Sequence, residues 1–371
     1  MKVTKLWVYP IKALRGISLE EADLTAQGIR HDRSFMLCRI SETGELAKLQ
    51  MASNPQCALF SQDILPGDDG EKRQLRVRYH RPAEPVVPLD AKQDEELTVP
   101  LEPDVAGLEV VDMNLHQAWT KAYRMGGACD AWFSACFGFP TTLLYIGANR
   151  RPILGTFSPK ARAPQPAPGI TSWLSSYVWG GGQEDAPEED WLTFSDCAPF
   201  LVASDSSLDA FRAKLAQPSP GDGADPEDST LAAAQMYKFR PNIVVAGAEP
   251  WQEDFWSTLT LRGAPAFVLS KMCNRCTSLN VDYDAGRYGE GGKGHVLKML
   301  SRDRRVDPGS KYSPVFGRYA FLHDGAEGGT IALGDEVGVG GLADERPVWD
   351  WPLKDKSVAK WYGQQPQAQR A

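Results

Sequence analysis

The chain has 371 residues, a net charge of −8, a hydrophobic fraction of 42% and a charged fraction of 24%. That is the composition of an ordinary globular protein with room for two domains. The acidic balance and the lack of any long basic run disfavour nucleic acid as a partner, because neutralising phosphates takes clustered Lys and Arg.

No stretch of about 20 apolar residues marks a membrane span. The opening residues Met1 to Pro10 read neither as a signal peptide nor as an Arg-rich transit peptide. The cysteine count is odd, at seven. With no export signal, free thiols in a reducing compartment are expected. The expected location is cytoplasmic, with a mitochondrial association left open.

In chain order, residues 3–9 read as a strand ending at Pro10, and Ile17–Leu24 alternates as a second. Gly28 marks a turn. Ser34–Ile40 reads as a buried strand, and Glu42-Thr43-Gly44 as a hairpin turn into Leu46–Met51. Together these predict a small antiparallel sheet. Residues 65–104, rich in Pro, Gly, Asp and Glu, read as an elaborated loop with one strand-like piece near Leu75–Tyr79. Cys129–Phe137 has helical spacing closed by Gly138, and Thr141–Ile146 is a strand.

Residues 157–190 read as a lobe-joining or surface segment. Leu208–Leu215 is helical in pattern, with Ser206 or Ser207 as cap. Gln217–Asp228 reads as a mobile insertion. Beyond Phe239, the short apolar runs Ile243–Ala246, Ala266–Leu269, Ala320–Leu322, Thr330–Leu333 and Glu336–Val339 alternate with turns, which suggests a β-barrel or sandwich. The tail after Lys354 is polar and Gln-rich.

Three constellations bear chemistry. Cys273-Asn274-Arg275-Cys276 lacks a second Cys pair for structural zinc, and the five histidines are scattered. It lacks the helix-opening setting of a redox dithiol. Function and simple core packing stand about even on spacing alone. Arg275 beside a thiol would favour the thiolate, a soft ligand for transition metals.

In Phe239-Arg240-Pro241-Asn242-Ile243, an extended backbone would send Arg240 and Asn242 to one side, suited to a phosphate and a heterocycle edge. A surface ion pair and a turn-closing Asn is the plainer reading of that segment by itself. Lys12 follows the first strand and Arg33 precedes the Ser34 strand; if the two strands are neighbours, both cations meet at one sheet end and could hold an anion.

Tyr9-Pro10-Ile11-Lys12, Gly28 with Asp32-Arg33, Phe239-Arg240-Pro241-Asn242-Ile243, Cys273-Asn274-Arg275-Cys276, Val281-Asp282 and Ser313 to Tyr319 occur in that order. The set resembles the MOSC family with its N-terminal β-barrel-like partner domain, and within it the mitochondrial amidoxime-reducing component family. The resemblance covers roughly residues 3–340, with gaps at the Pro/Gly-rich insertions.

The resemblance implies an α+β, mainly β fold. A C-terminal MOSC β-barrel (151–342) would join an N-terminal antiparallel-β domain with a few helices (1–150), followed by a polar tail (343–371). It implies a molybdenum cofactor, molybdenum on molybdopterin, with Cys276 as metal ligand and catalytic residue. Cofactor contacts would come from Lys12, Arg33, Asp196, Cys197, Arg240, Asn242, Arg275 and Tyr319. Ala13 and Cys197 stand where hydroxyl residues are usual, and Tyr283 replaces a proline.

The implied activity is reduction of small N-hydroxylated substrates, amidoximes or hydroxylamines. Electrons would arrive from a cytochrome b5-type donor and its NADH-dependent reductase, since the chain shows no second cofactor motif. The alternatives are a sulfur carrier with a persulfide on Cys276 and a cofactor-binding protein without reductase activity.

Overall fold

The computed structural model describes residues 1–67, 73–160, 190–216 and 227–351. Its fold is mainly β. The largest sheet has eight strands: β1 (Lys2–Val8), β2 (Ile17–Leu19), β3 (Phe200–Ser204), β4 (Ile243–Ala246), β5 (Trp256–Leu261), β6 (Ala264–Asn274), β7 (Val315–Leu322) and β8 (Val337–Leu342). Their spatial order is β2-β1-β4-β3-β7-β6-β5-β8. Only the β3–β4 pair within it is parallel. A five-stranded sheet is ordered Glu109–Leu115, Ala118–Arg124, Thr141–Tyr145, Phe35–Ile40, Leu46–Lys48.

The opening strands therefore do not form one small sheet. β1 keeps β2 on one side and on the other pairs antiparallel with β4, more than 200 residues on. Val3, Leu6 and Val8 are buried in one core with Ile243, Val245, Phe200 and Trp256. That apolar face finds far more to cover in the C-terminal strands than in the half-polar strands that follow it. Phe35–Ile40 instead pairs with Thr141–Tyr145, and Met36 and Leu37 face two different cores.

The stretch 17–24 also breaks in two. Ile17–Leu19 joins β1, whereas Glu21–Thr25 pairs with Thr330–Ala332. The inward positions pass from odd (Ile17, Leu19) to even (Ala22, Leu24) across Glu20-Glu21, and a strand cannot change face without a break.

Residues 65–104 hold more than a loop. Gln74–Tyr79 and Glu96–Pro100 complete a three-stranded sheet with Phe60–Leu65. Leu75, Val77, Leu97 and Val99 alternate inward. The outward face is tied by Arg78 to Asp63 at 2.6 Å and to Glu96. The strand-like piece near Leu75–Tyr79 is the first of these two added strands; charge on the solvent face, together with the flanking Pro, disguised the second, Glu96–Pro100.

The expected helices form. Gly127–Phe137 ends at Gly138, which takes the left-handed conformation (φ 74°) and donates its N–H to Ser134 O at 2.9 Å. The helix over 208–215 begins earlier, at Asp205. Ser206 and Ser207 thus lie inside its first turn and do not cap it. The hydroxyl of Ser207 is held instead by Glu253 at 2.7 Å and the Trp251 N–H at 2.7 Å.

The apolar runs after Phe239 all appear as strands. Residues 161–189, 217–226 and 352–371 lie outside the described residues. The expected lobe-joining segment (all but its ends), the expected insertion as far as Pro226 and the tail from residue 352 on thus lie outside the described residues; Glu227 and Asp228 open the helix Glu227–Ala233, and residues 343–351 of the expected tail are described.

Candidate functional site

Five parts of the chain meet at the large sheet: Arg33 in the turn before Phe35–Ile40, residues 195–201 running into β3, residues 239–242 before β4, residues 273–278 at the end of β6, and Tyr319 on β7. They enclose a cavity of about 110 Å³. Arg33, Asp196, Arg240, Asn242, Arg275, Cys276 and Tyr319 are among its lining residues. Lys12 stands behind Asp196, and Cys197 is not part of the lining.

The turn after β1 is fixed by backbone pairing. Arg33 N–H donates to Tyr9 O at 2.9 Å, and Lys12 N–H to Phe35 O at 2.8 Å. The two segments are neighbours, and their cations reach the same region. Lys12 Nζ is buried and donates to Phe194 O at 2.8 Å and to the Asp196 carboxylate. Burial lowers its pKa. Arg33 pairs with buried Asp32 and donates to Asn242 Oδ1 at 3.1 Å. The guanidinium carbons of Arg33 and Arg240 lie 4.3 and 4.4 Å from the Tyr9 centroid, so one aromatic ring carries two guanidiniums.

Arg240 and Asn242 are not on one extended face. Arg240 caps the short helix Met236–Phe239 in the left-handed region (φ 54°), and the strand begins only at Ile243. The residue before a proline is kept out of the right-handed helical region, so the helix ends there. Arg240 Nη1 then reaches Leu14 O at 2.6 Å. Asn242 is a three-strand tie: its Oδ1 accepts from Leu201 N–H at 3.1 Å and its Nδ2 donates to Trp7 O at 3.2 Å.

The two cysteines at the end of β6 differ sharply. Cys273 is buried, and Cys276 is exposed. The Arg275 guanidinium sits on Cys273, with Nη1 at 3.0 Å from its sulfur, and so stands beside the other thiol of the pair. Arg275 Nη2 donates to Phe239 O at 2.8 Å, and its Nε is buried without an acceptor. Cys273 also meets the Tyr319 hydroxyl at 3.3 Å. Cys276 has the Ser278 hydroxyl at 3.2 Å. Cys197 packs with Cys273, Tyr319 and Phe157, and burial pushes its thiol far up.

Asp196 is the junction of the site. Its side chain is 52% exposed, and Lys12 and His116 hold its carboxyl well below the usual range. His116 Nε2 lies 3.1 Å from Asp196 Oδ1. The backbone around Asp196 is braced by buried Arg151, which donates to Thr193 O at 3.0 Å, Asp196 O at 3.2 Å and Ser195 O. Burial pulls this guanidinium down to about 10, so it stays charged at neutral pH.

Sequence reasoning missed His116, Arg151 and Ser278. His116 lies in a turn with no motif around it, and Arg151 acts only on carbonyls, which leave no trace in the sequence.

The chain matches the MOSC domain over residues 189–338 and the MOSC N-terminal beta barrel domain over residues 1–140. It is a MOSC-domain protein carrying that N-terminal barrel domain. Its relatives are distant. It is 24% identical to the human mitochondrial amidoxime-reducing component 1 over 349 residues, covering 90% of this chain and 82% of that one. The mouse counterpart is 25% identical over 90% of this chain and 81% of its own. A molybdenum cofactor sulfurase of Solanum lycopersicum is 25% identical over 76% of this chain and 29% of its own.

Proposed function

We propose that this chain is a molybdenum-cofactor-dependent oxidoreductase that reduces N-hydroxylated substrates, amidoximes and hydroxylamines, with electrons from an external donor. One observation carries the reading: an exposed thiol, Cys276, at a cavity lined by three guanidiniums, Arg33, Arg240 and Arg275. A thiolate is a soft ligand suited to transition metals. Guanidiniums recognise phosphate, and the buried Arg275 Nε–H lacks an acceptor that an anionic ligand would supply.

The donor set fits a phosphate-bearing metal cofactor. Cys276 would ligate the metal. Arg33, Arg240 and Arg275 would hold the anionic end, with Asp196 completing the wall and Lys12 supporting it from behind. Tyr319 and Cys273 back Arg275, and Asn242 fixes Arg33. Cys197 acts in packing behind the wall. When bound, the cofactor supplies a two-electron redox centre able to break an N–O bond. Electrons come from outside, from a cytochrome b5-type haem protein and its NADH-dependent reductase. Among the described residues no helix is long and apolar enough to cross a membrane.

The test is molybdenum content by mass spectrometry together with reduction of benzamidoxime by an artificial donor. Wild-type protein holds molybdenum and turns over; Cys276→Ala does neither. A Cys276→Ala variant with full molybdenum and full turnover refutes the proposal. A persulfide on Cys276 in a molybdenum-free protein would point instead to a sulfur carrier, the reading favoured by the sulfurase relative.

A further inference from the structure

We infer that the Ser278 hydroxyl sets the redox potential of the site by donating a hydrogen bond to the Cys276 sulfur; the inference rests on the reading of Cys276 as the metal ligand. Reducing R–NH–OH to R–NH2 and water breaks the N–O bond and consumes two electrons and two protons. The external donor supplies the electrons one at a time. Each uptake therefore depends on how readily the site accepts a single electron.

Ser278 Oγ lies 3.2 Å from Cys276 Sγ, and both residues line the cavity. Among the described residues the hydroxyl has no other hydrogen-bond partner. A sulfur that ligates a metal is a thiolate with no hydrogen to give, so the hydroxyl is then the donor. Cys276 is exposed, but Ser278 is only 8% exposed. With the cavity occupied, alanine at 278 leaves a gap smaller than one water, so solvent does not replace the lost donor.

The chain fixes this approach. Cys276 directly precedes the short helical turn Thr277–Asn280, which carries Ser278. Leu279 is buried in one core with Val296, Leu300 and Phe316. Asn280 Oδ1 accepts the Leu297 N–H at 2.9 Å, and Asn280 O accepts the Gly289 N–H at 2.8 Å. Thr277 Oγ1 meets the Tyr288 hydroxyl at 3.0 Å. With Thr277, Leu279 and Asn280 held, the turn presents Ser278 to the sulfur in one orientation. The two cysteines of the motif are therefore served differently. The Arg275 guanidinium and the Tyr319 hydroxyl sit on Cys273, whereas the ligand sulfur has a neutral hydroxyl. A hydrogen bond to a ligating sulfur withdraws electron density from it. That stabilises the electron-rich reduced state over the oxidised one and raises the reduction potential.

The test is a redox titration of molybdenum-loaded protein, with the Mo(V) signal followed by electron paramagnetic resonance. Ser278→Ala keeps the turn and the wild-type molybdenum content. Its one-electron reduction equilibrium falls about threefold or more, which is roughly 30 mV towards lower potential. An unmoved or raised potential overturns the inference. So does a loss of molybdenum from the variant, because the hydroxyl would then serve to retain the metal.

A second readout sees the hydrogen bond directly. Hyperfine spectroscopy of the Mo(V) state, before and after exchange into heavy water, detects a weakly coupled exchangeable proton in wild-type protein that Ser278→Ala lacks. Identical proton spectra overturn the hydrogen bond itself. Neither readout needs turnover. Wild-type protein that holds molybdenum and shows the shift, yet reduces no N-hydroxylated probe, sinks the reductase reading alone; protein that holds no molybdenum sinks both.

Discussion

Replacing Asn242 by alanine tests how far the candidate site and the fold share one set of bonds. Asn242 is buried, and its side chain serves Leu201 N–H at 3.1 Å, Trp7 O at 3.2 Å and Arg33 Nη1 at 3.1 Å. Alanine strands the Leu201 N–H in the core, which costs about 1–3 kcal/mol. It also removes a donor from the Trp7 carbonyl, worth about 1 kcal/mol, while Arg33 keeps Asp32. The sum is about 3 kcal/mol, or on the order of 10²-fold in the folding equilibrium. Urea unfolding followed by both tryptophan fluorescence and circular dichroism measures this where the two transitions coincide. A loss under about 1 kcal/mol would show that the three bonds are not the tie described, since one buried amide left unpaired already exceeds it.

Three further substitutions have definite outcomes. Burial raises the Glu253 carboxyl from 4.5 to about 7, so the folded state binds more protons than the unfolded one between those values. Stability is greatest below about pH 4.5 for this group and declines as pH rises towards 7; Glu253→Gln removes that slope in thermal melts taken across the range. Gly28 has φ 121°, and an added Cβ would lie 2.8 Å from Pro199 O. Gly28→Ala costs roughly 1–3 kcal/mol and displaces the 196–199 segment, which amide exchange at Ala198 would report as faster. Asp254 takes two bonds from Arg304, at 3.0 and 2.7 Å, and one from Arg346 at 2.8 Å, all buried or half-buried. Asp254→Asn leaves the Arg304 charge uncompensated and lowers stability by about 3–5 kcal/mol by calorimetry.

What was legible in the sequence was local. Gly138 closing a helix, the 42–44 turn and the C-terminal apolar runs all depend on nearest neighbours, and each is found where expected. Partner choice was not legible. Nothing within residues 3–9 says that β1 belongs beside Ile243–Ala246, because the decision lies in which apolar face covers which. The break at Glu20-Glu21 was readable, since the inward phase changes there, but it takes attention to register rather than to alternation alone. At the cavity, the motif residues were named only through the ordered set that resembles the MOSC family; read segment by segment they looked like solvated charge, a turn or core packing. Arg151 and His116 were not named at all, since one binds carbonyls and the other owes its place to a hairpin closing 80 residues from Asp196.

The Arg275 contacts also change how the cysteine motif works. Its guanidinium spans from Cys273 sulfur to Phe239 O, and Phe239 itself packs against Phe316, the rings tilted by 31° with centroids 4.0 Å apart. Phe239 directly precedes Arg240, so the brace fixes the end of β6 against the helix turn that presents Arg240. A lysine could not replace it, because a single ammonium on a flexible stem cannot hold two acceptors in the fixed directions of a planar fork. The Phe-Arg-Pro-Asn and Cys-x-Arg-Cys segments are thus halves of one rigid unit: the first arginine lines the cavity, the second locks the first in place, and Cys276, just beyond the lock, is the thiol left free to face solvent.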